Sequence, residues 1–137
     1  SSAASPSTES GHWNACAAAA RMAYTKAGVT PGSFAFAELS ATSAVAELMT
    51  VEALGLAQPG RGLGACLGDG IPINPSGGAL PVNPIMATGL VRLAEATERL
   101  WASGESPGRD GSARRSALVH ASSGLGAQSH CVFVVEV

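Results

Sequence analysis

The chain has 137 residues, 46% of them apolar, 13% charged and 4% aromatic, with a formal net charge of −2. That composition in a chain of single-domain length excludes an intrinsically disordered polypeptide, and without a basic stripe nucleic-acid binding has no electrostatic support. No apolar run reaches the roughly 18 residues of a membrane span, and three widely spaced cysteines, Cys16, Cys66 and Cys131, form neither a disulfide framework nor a CxxC pattern, which points to a reducing, cytoplasmic setting.

Residues 1–11 are small and polar and read as a flexible lead-in to one domain over 12–137. Ser10 is placed to cap an alanine-rich helix over 12–27, with Trp13, Ala17, Ala20, Tyr24 and Ala27 on one side and Gly28 as its stop. FAFAEL, 34–39, reads as a strand. A helix over 43–54 follows, with Val45, Leu48, Met49 and Leu56 towards the interior. Residues 57–70 are crowded with Gly and Pro and read as a loop. IPIN, 71–74, reads as a short strand, and 75–84, PSGGALPVNP, is the densest run of turn residues.

A helix over 87–102 carries Leu90, Leu93, Ala94, Thr97, Leu100 and Trp101. Glu95 and Arg99, four apart, add a few tenths of a kcal/mol. Residues 103–115, with Arg114 and Arg115, read as a polar surface loop. SALVHA, 116–121, and SHCVFVVEV, 129–137, read as closing strands, the apolar run Val132–Val135 as one covered on both faces. The order predicts an α/β fold with a mixed, partly parallel sheet under covering helices. Nothing strand-like precedes the first helix. The expectation is therefore a sheet without its first strand, leaving an apolar edge for another chain to close.

Residues 71–89, IPINPSGGALPVNPIMATG, resemble the C-terminal half of thiolases, nearest to the sterol-carrier-type and thiolase-like aldolase branch. Asn74, Pro75, Ser76, Gly77, Gly78, Pro84, Ala87, Thr88 and Gly89 match that branch's pattern. The segments 17–39, 46–56 and 117–127 are similar to the family's in the same order. The resemblance implies an enzyme of two similar βαβαβαββ halves. The N-terminal half carries the cysteine that takes the acyl group, and the C-terminal half supplies acid, base and oxyanion groups. This chain resembles most of the second half without its first, central strand. An N-terminal thiolase half with a reactive Cys is the implied partner chain, and a zinc-ribbon/OB-fold protein an accessory one. The implied substrate is a coenzyme A thioester, with no tightly bound cofactor.

Some chemistry-bearing positions depart from the family. Asn83 stands where thiolases carry His, Met86 where they carry Gly, and Ser40, Ala41, Thr42 and Ser43 replace a His-Asp-Ala-Phe segment. Asn donates a hydrogen bond but shuttles no proton near neutral pH. The resemblance assigns His120 and Asn83 to catalysis, and Gly77, Gly78, Ser122, Gly124 and Met86 to substrate contact. Read as residues alone, His120 is equally a satisfied structural histidine. The glycine pair is then a sharp turn, Asn83 a turn residue before Pro84, and Met86 a core residue. His12 and His130 read as capping, packing or surface groups, Cys16 and Cys131 as packed thiols, and Cys66 as a more exposed one. The run GRGLGACLGDG lacks the Lys and Ser/Thr of a phosphate loop. No two His or Cys stand at local ligand spacing, so no metal site is expected. Three roles follow: a heteromeric thiolase-like acyl transfer, thiolysis or condensation; a retro-aldol cleavage of a 3-hydroxyacyl-CoA; or a non-catalytic subunit that completes a partner's active site.

Overall fold

The computed structural model describes residues 8–102, 116–124 and 129–137, with the side chains of the first helix from position 13 onward. Helix α1 (Thr8–Ala27) opens earlier than the sequence predicts, so Ser10 lies inside it rather than capping it, and 8–11 of the expected lead-in are helical. Residues 1–7, the His12 side chain, the 103–115 loop with Arg114 and Arg115, and 125–128 lie outside the described residues. Alanine's high helix propensity sustains α1, and Gly28, at φ 68°, ends it. Its inward face is Cys16, Ala20 and Tyr24, one residue per turn, while Ala27 is exposed. The Tyr24 hydroxyl donates to the Leu54 carbonyl at 2.7 Å, and its ring lies 5.7 Å from that of Phe34.

The chain continues through a 3-10 turn at Pro31–Ser33 into strand β1 (Ala37–Leu39), helix α2 (Ala44–Ala53), the short helix α3 (Gly62–Cys66), helix α4 (Thr88–Ala102) and strands β2 (Ser116–Ser123) and β3 (Ser129–Glu136). Ser43 caps α2, its hydroxyl accepting from the Ala46 N–H at 3.2 Å. The inner side of α2 is Thr50 and Val51, followed by Leu54, whereas Val45 and Met49 are exposed, a rotation of the expected face. Helix α3 falls in the expected loop. The Glu52 carboxylate accepts the Gly62 N–H at 2.8 Å and fixes its start. Gly62 packs so close to the Leu48 carbonyl that a Cβ would stand 2.6 Å from it.

The strands form one sheet of order β1-β2-β3, β1 parallel and β3 antiparallel to β2. It is the predicted mixed α/β sheet, covered on two faces. On one, Leu118 of β2 joins Cys16, Ala20 and Tyr24 of α1 with Val51 and Leu54. On the other, Ala117 and Val119 pack on Ala96 and Leu100 of α4. The side-chain alternation of β2 thus sends even positions towards α1 and odd ones towards α4.

Three expectations change. IPIN is no strand: Ile73 makes a single parallel bridge to Ala37. Pro72 and Pro75 have no N–H to offer a ladder, and Asn74, at φ 50°, turns the chain away. The sheet also has no vacancy in its middle, because β1 pairs with β2 directly through Ala37↔Leu118, Glu38↔Val119 and Leu39↔His120. Finally, β3 is an outer strand covered mainly on one side. Phe133 is 42% exposed and Cys131 is exposed, so Cys131 is not a core thiol.

A charged group sits in the core. Glu38 of β1 is fully buried and points to α4, where Arg92 is also buried, and their charged groups meet at 3.1 Å. Ser76 completes the cluster: its hydroxyl lies 2.6 Å from both Glu38 Oε2 and Arg92 Nη1, and its N–H donates to Glu38 Oε1 at 3.0 Å. Arg92 is the unexpected member of the inner face of α4, whereas Leu90 and Trp101 are exposed. Arg92→Met alone strands a buried carboxylate and is expected to cost about 3–5 kcal/mol in urea unfolding. The double change Glu38→Leu with Arg92→Met is expected to recover most of that loss.

Candidate functional site

The NPSGG segment explains itself residue by residue. Asn74 accepts the Leu39 N–H at 2.6 Å through Oδ1 and donates from Nδ2 to Glu47 Oε1 at 2.7 Å. Its side chain thereby continues the edge of β1 after the backbone of 72–74 has left it. Ser76 belongs to the Glu38–Arg92 cluster. Gly78, buried at φ 67°, lies where a Cβ would stand 2.7 Å from the Asn74 amide. Gly77, at φ 102°, is exposed and makes the turn. The ATG segment is equally tight: a Cβ on Gly89 would meet the Ala121 Cβ at 2.6 Å, so this glycine lets the start of α4 lie directly on β2.

Where that helix start meets the end of β2, a cleft of about 330 Å³ opens. Ile85, Met86, Leu90, Leu93, Ala121 and Phe133 give it apolar walls. Thr88, Ser122, Ser123, Ser129, His130 and Cys131 add its polar groups. Two of the sequence-assigned substrate residues, Met86 and Ser122, are among them. Met86 is 96% exposed on the rim rather than in the core. Ser122 is already engaged, its hydroxyl donating to the Ser40 carbonyl at 3.0 Å and tying β2 to the end of β1. Gly124 is exposed just beyond β2, at φ 87°. The cleft lies at the carboxyl end of a parallel-paired strand, the usual place for ligands in open α/β sheets.

His120 and Asn83 do not meet in this cleft, and neither lines it. Asn83 is exposed, and its Oδ1 accepts a short hydrogen bond from the Thr88 hydroxyl, which also reaches the Pro84 carbonyl at 3.2 Å. It braces the start of α4. His120 lies within β2, not at its end, and is buried on the α1 side. There its Nε2 stands 3.0 Å from His130 Nδ1, and the two rings stack with centroids 5.3 Å apart. His120 Nδ1 is buried without a hydrogen-bond partner. Cys16 of α1 joins them: one donor atom each from Cys16, His120 and His130 lie within 4.8 Å of one another. Reading each residue singly missed this grouping. The signal was the strand alternation, which places His120 and the residue opposite Ser122 on one face.

Burial, and secondarily His130, push the His120 pKa down to about 3, so its imidazole is neutral at physiological pH. Burial pushes the Cys16 thiol up to about 11 and also raises Cys66, so neither carries the lowered pKa of an activated nucleophile.

The family model described as "Thiolase C-terminal domain-like" matches residues 2–136. The chain belongs to that family. It is 40% identical over 84 residues to sterol carrier protein 2 of Homo sapiens and 41% identical over 85 residues to sterol carrier protein 2 of Oryctolagus cuniculus. Each match covers 56% of this chain and 15% of the relative, so the chain is similar to a small part of proteins much longer than itself. Among the described residues no helix is long and apolar enough to cross a membrane.

A pH dependence follows from His120. Between pH 6.5 and about 3 the unfolded chain takes up a proton at this position that the folded chain refuses. Stability from this group is complete above 6.5 and falls with pH through that window, by up to about 1.4 kcal/mol per pH unit. Urea unfolding from pH 7 to pH 4 is expected to show that decline, and His120→Gln to flatten it.

Proposed function

We propose that this chain encloses the acyl group in a thiolase-like enzyme acting on acyl-CoA thioesters, with the nucleophilic cysteine supplied from outside these 137 residues. The observation that carries the reading is the cleft between α4 and the end of β2. Its walls are largely apolar, Thr88, Ser122, Ser123 and Ser129 add hydroxyl groups, and Thr88 and Gly89 of the family's ATG segment line it. Ile85, Met86 and Leu90 of its lining are exposed apolar side chains and give it an apolar border. A border of that kind suits an acyl chain and the body of the polypeptide that would cover it. The direct pairing of β1 with β2 leaves no place between them for an inserted strand, so the covering polypeptide is proposed to sit over the cleft rather than inside the sheet.

The partner would carry the reactive Cys of an N-terminal thiolase half, with a zinc-ribbon/OB-fold protein as a third component. Coenzyme A thioester is then the substrate, and acyl transfer or condensation the reaction. A second reading, in which this chain performs no chemistry and only shapes the site, is favoured by one observation: neither His120 nor Asn83 lines the cleft, each bonding instead to a residue that does, His130 and Thr88. Retro-aldol cleavage would need a proton-transfer group at the cleft. Among its lining residues only His130 has an imidazole.

Fluorescent long-chain acyl-CoA is expected to bind the chain assembled with its Cys-bearing partner. Leu90→Asp or Phe133→Asp, which put charge into the apolar wall, are expected to weaken that binding tenfold or more. Wild-type affinity in both variants would remove the cleft from the reading. Turnover lost in Cys131→Ser, with assembly intact, would instead put the nucleophile in this chain. His120→Ala separates the remaining two roles: unchanged turnover with intact assembly leaves the chemistry to the partner.

A further inference from the structure

We infer that Cys16, His120 and His130 form a zinc-binding site between α1 and the β2–β3 hairpin. The three residues come from three elements and place one donor atom each within 4.8 Å of one another. A thiolate with two imidazoles is a ligand set that borderline-soft zinc takes readily, with the fourth position left to water. The closest approach is the 3.0 Å between His120 Nε2 and His130 Nδ1. Two zinc–nitrogen bonds at a tetrahedral angle set their nitrogens about 3.3–3.4 Å apart, so the rings need part by only a few tenths of an ångström. A trigonal ion with bonds of that length asks for about 3.5–3.6 Å, a poorer match.

His120 is 1% exposed, and its Nδ1 is buried with no hydrogen-bond partner. That nitrogen is not the one that faces His130, so with Nε2 as the ligand it stays outside the coordination; among the described residues the donors grouped with His120 are those of Cys16 and His130. Cys16 is fully buried and His130 half-buried, so His130 is the side from which an ion reaches the pocket. The site joins the first helix to the last two strands, segments far apart in the chain. An ion there clamps α1 to the sheet. It also lies against the cleft, whose wall includes His130. The inference does not depend on what the cleft binds.

The test is to strip the full-length chain with a chelator and titrate it with zinc chloride by calorimetry, then with cobalt chloride as a spectroscopic probe. One ion per chain is expected, with a melting temperature raised by several degrees. Cobalt is expected to give a sulfur-to-metal charge-transfer band in the near ultraviolet with the visible bands of a tetrahedral site. Cys16→Ala and His130→Ala are expected to lose stoichiometric binding, and Cys66→Ser to keep it. No binding at about 100 μM zinc would overturn the site, as would binding and band unchanged in Cys16→Ala and His130→Ala. Should those variants fail to fold, side-chain nitrogen NMR of the unmutated chain decides instead. Zinc must shift the imidazole resonances of both His120 and His130, and unmoved resonances at saturation reject the proposal.

Discussion

The buried carboxylate of Glu38 is the constraint around which the rest is arranged. A charge taken out of water inside a sheet must be met by an opposite charge and by hydrogen-bond donors. Arg92 answers from α4, and Ser76 from the loop before it. Those two contacts fix where α4 lies along β2 and how the 75–78 turn is folded. Asn74 then locks the same turn to β1, and Gly89 lets the start of α4 press on Ala121. The cleft is the space left over once these contacts are satisfied. Its position is therefore set by a polar cluster in the core as much as by its own apolar walls.

The fold was largely legible because its longer elements obey simple periodicities. The alanine-rich first helix, the helix to Ala102 and the final pair of strands all lie near where composition and alternation put them. The failures have physical causes. IPIN has strand-like residues, but Pro72 within it and Pro75 after it leave it one bridge. The 57–70 segment looked like loop because glycine has poor helix propensity, yet a tertiary contact from Glu52 starts a helix there. The inward turn of Arg92 was invisible because a lone arginine on a helix normally faces water. Only the burial of Glu38, on a different element, makes it necessary.

The site was legible in motif but not in geometry. The NPSGG and ATG segments were recognisable as a unit, and Thr88 and Gly89 of the second line the cleft. What the sequence did not convey is that several of their matching residues are committed to structure: Asn74 to the edge of β1, Ser76 to the ion pair, Gly78 and Gly89 to close approach. His120 matched by position, yet strand alternation turns it to the opposite side of the sheet from α4. There it joins His130 and Cys16, a grouping that residue spacing along the chain cannot reveal because its members come from the first helix and the last hairpin.

The parallel pairing of β1 with β2 joins segments far apart in the chain, and the Ser122 hydroxyl reaches the Ser40 carbonyl across 82 positions. Closing so long a loop costs entropy before any contact repays it. During synthesis, α1, α2 and α4 can only wait as loosely helical segments with their oily faces uncovered. The sheet they clasp does not exist until β2 and β3 have cleared the ribosome, and through that interval apolar surface stays open to solvent.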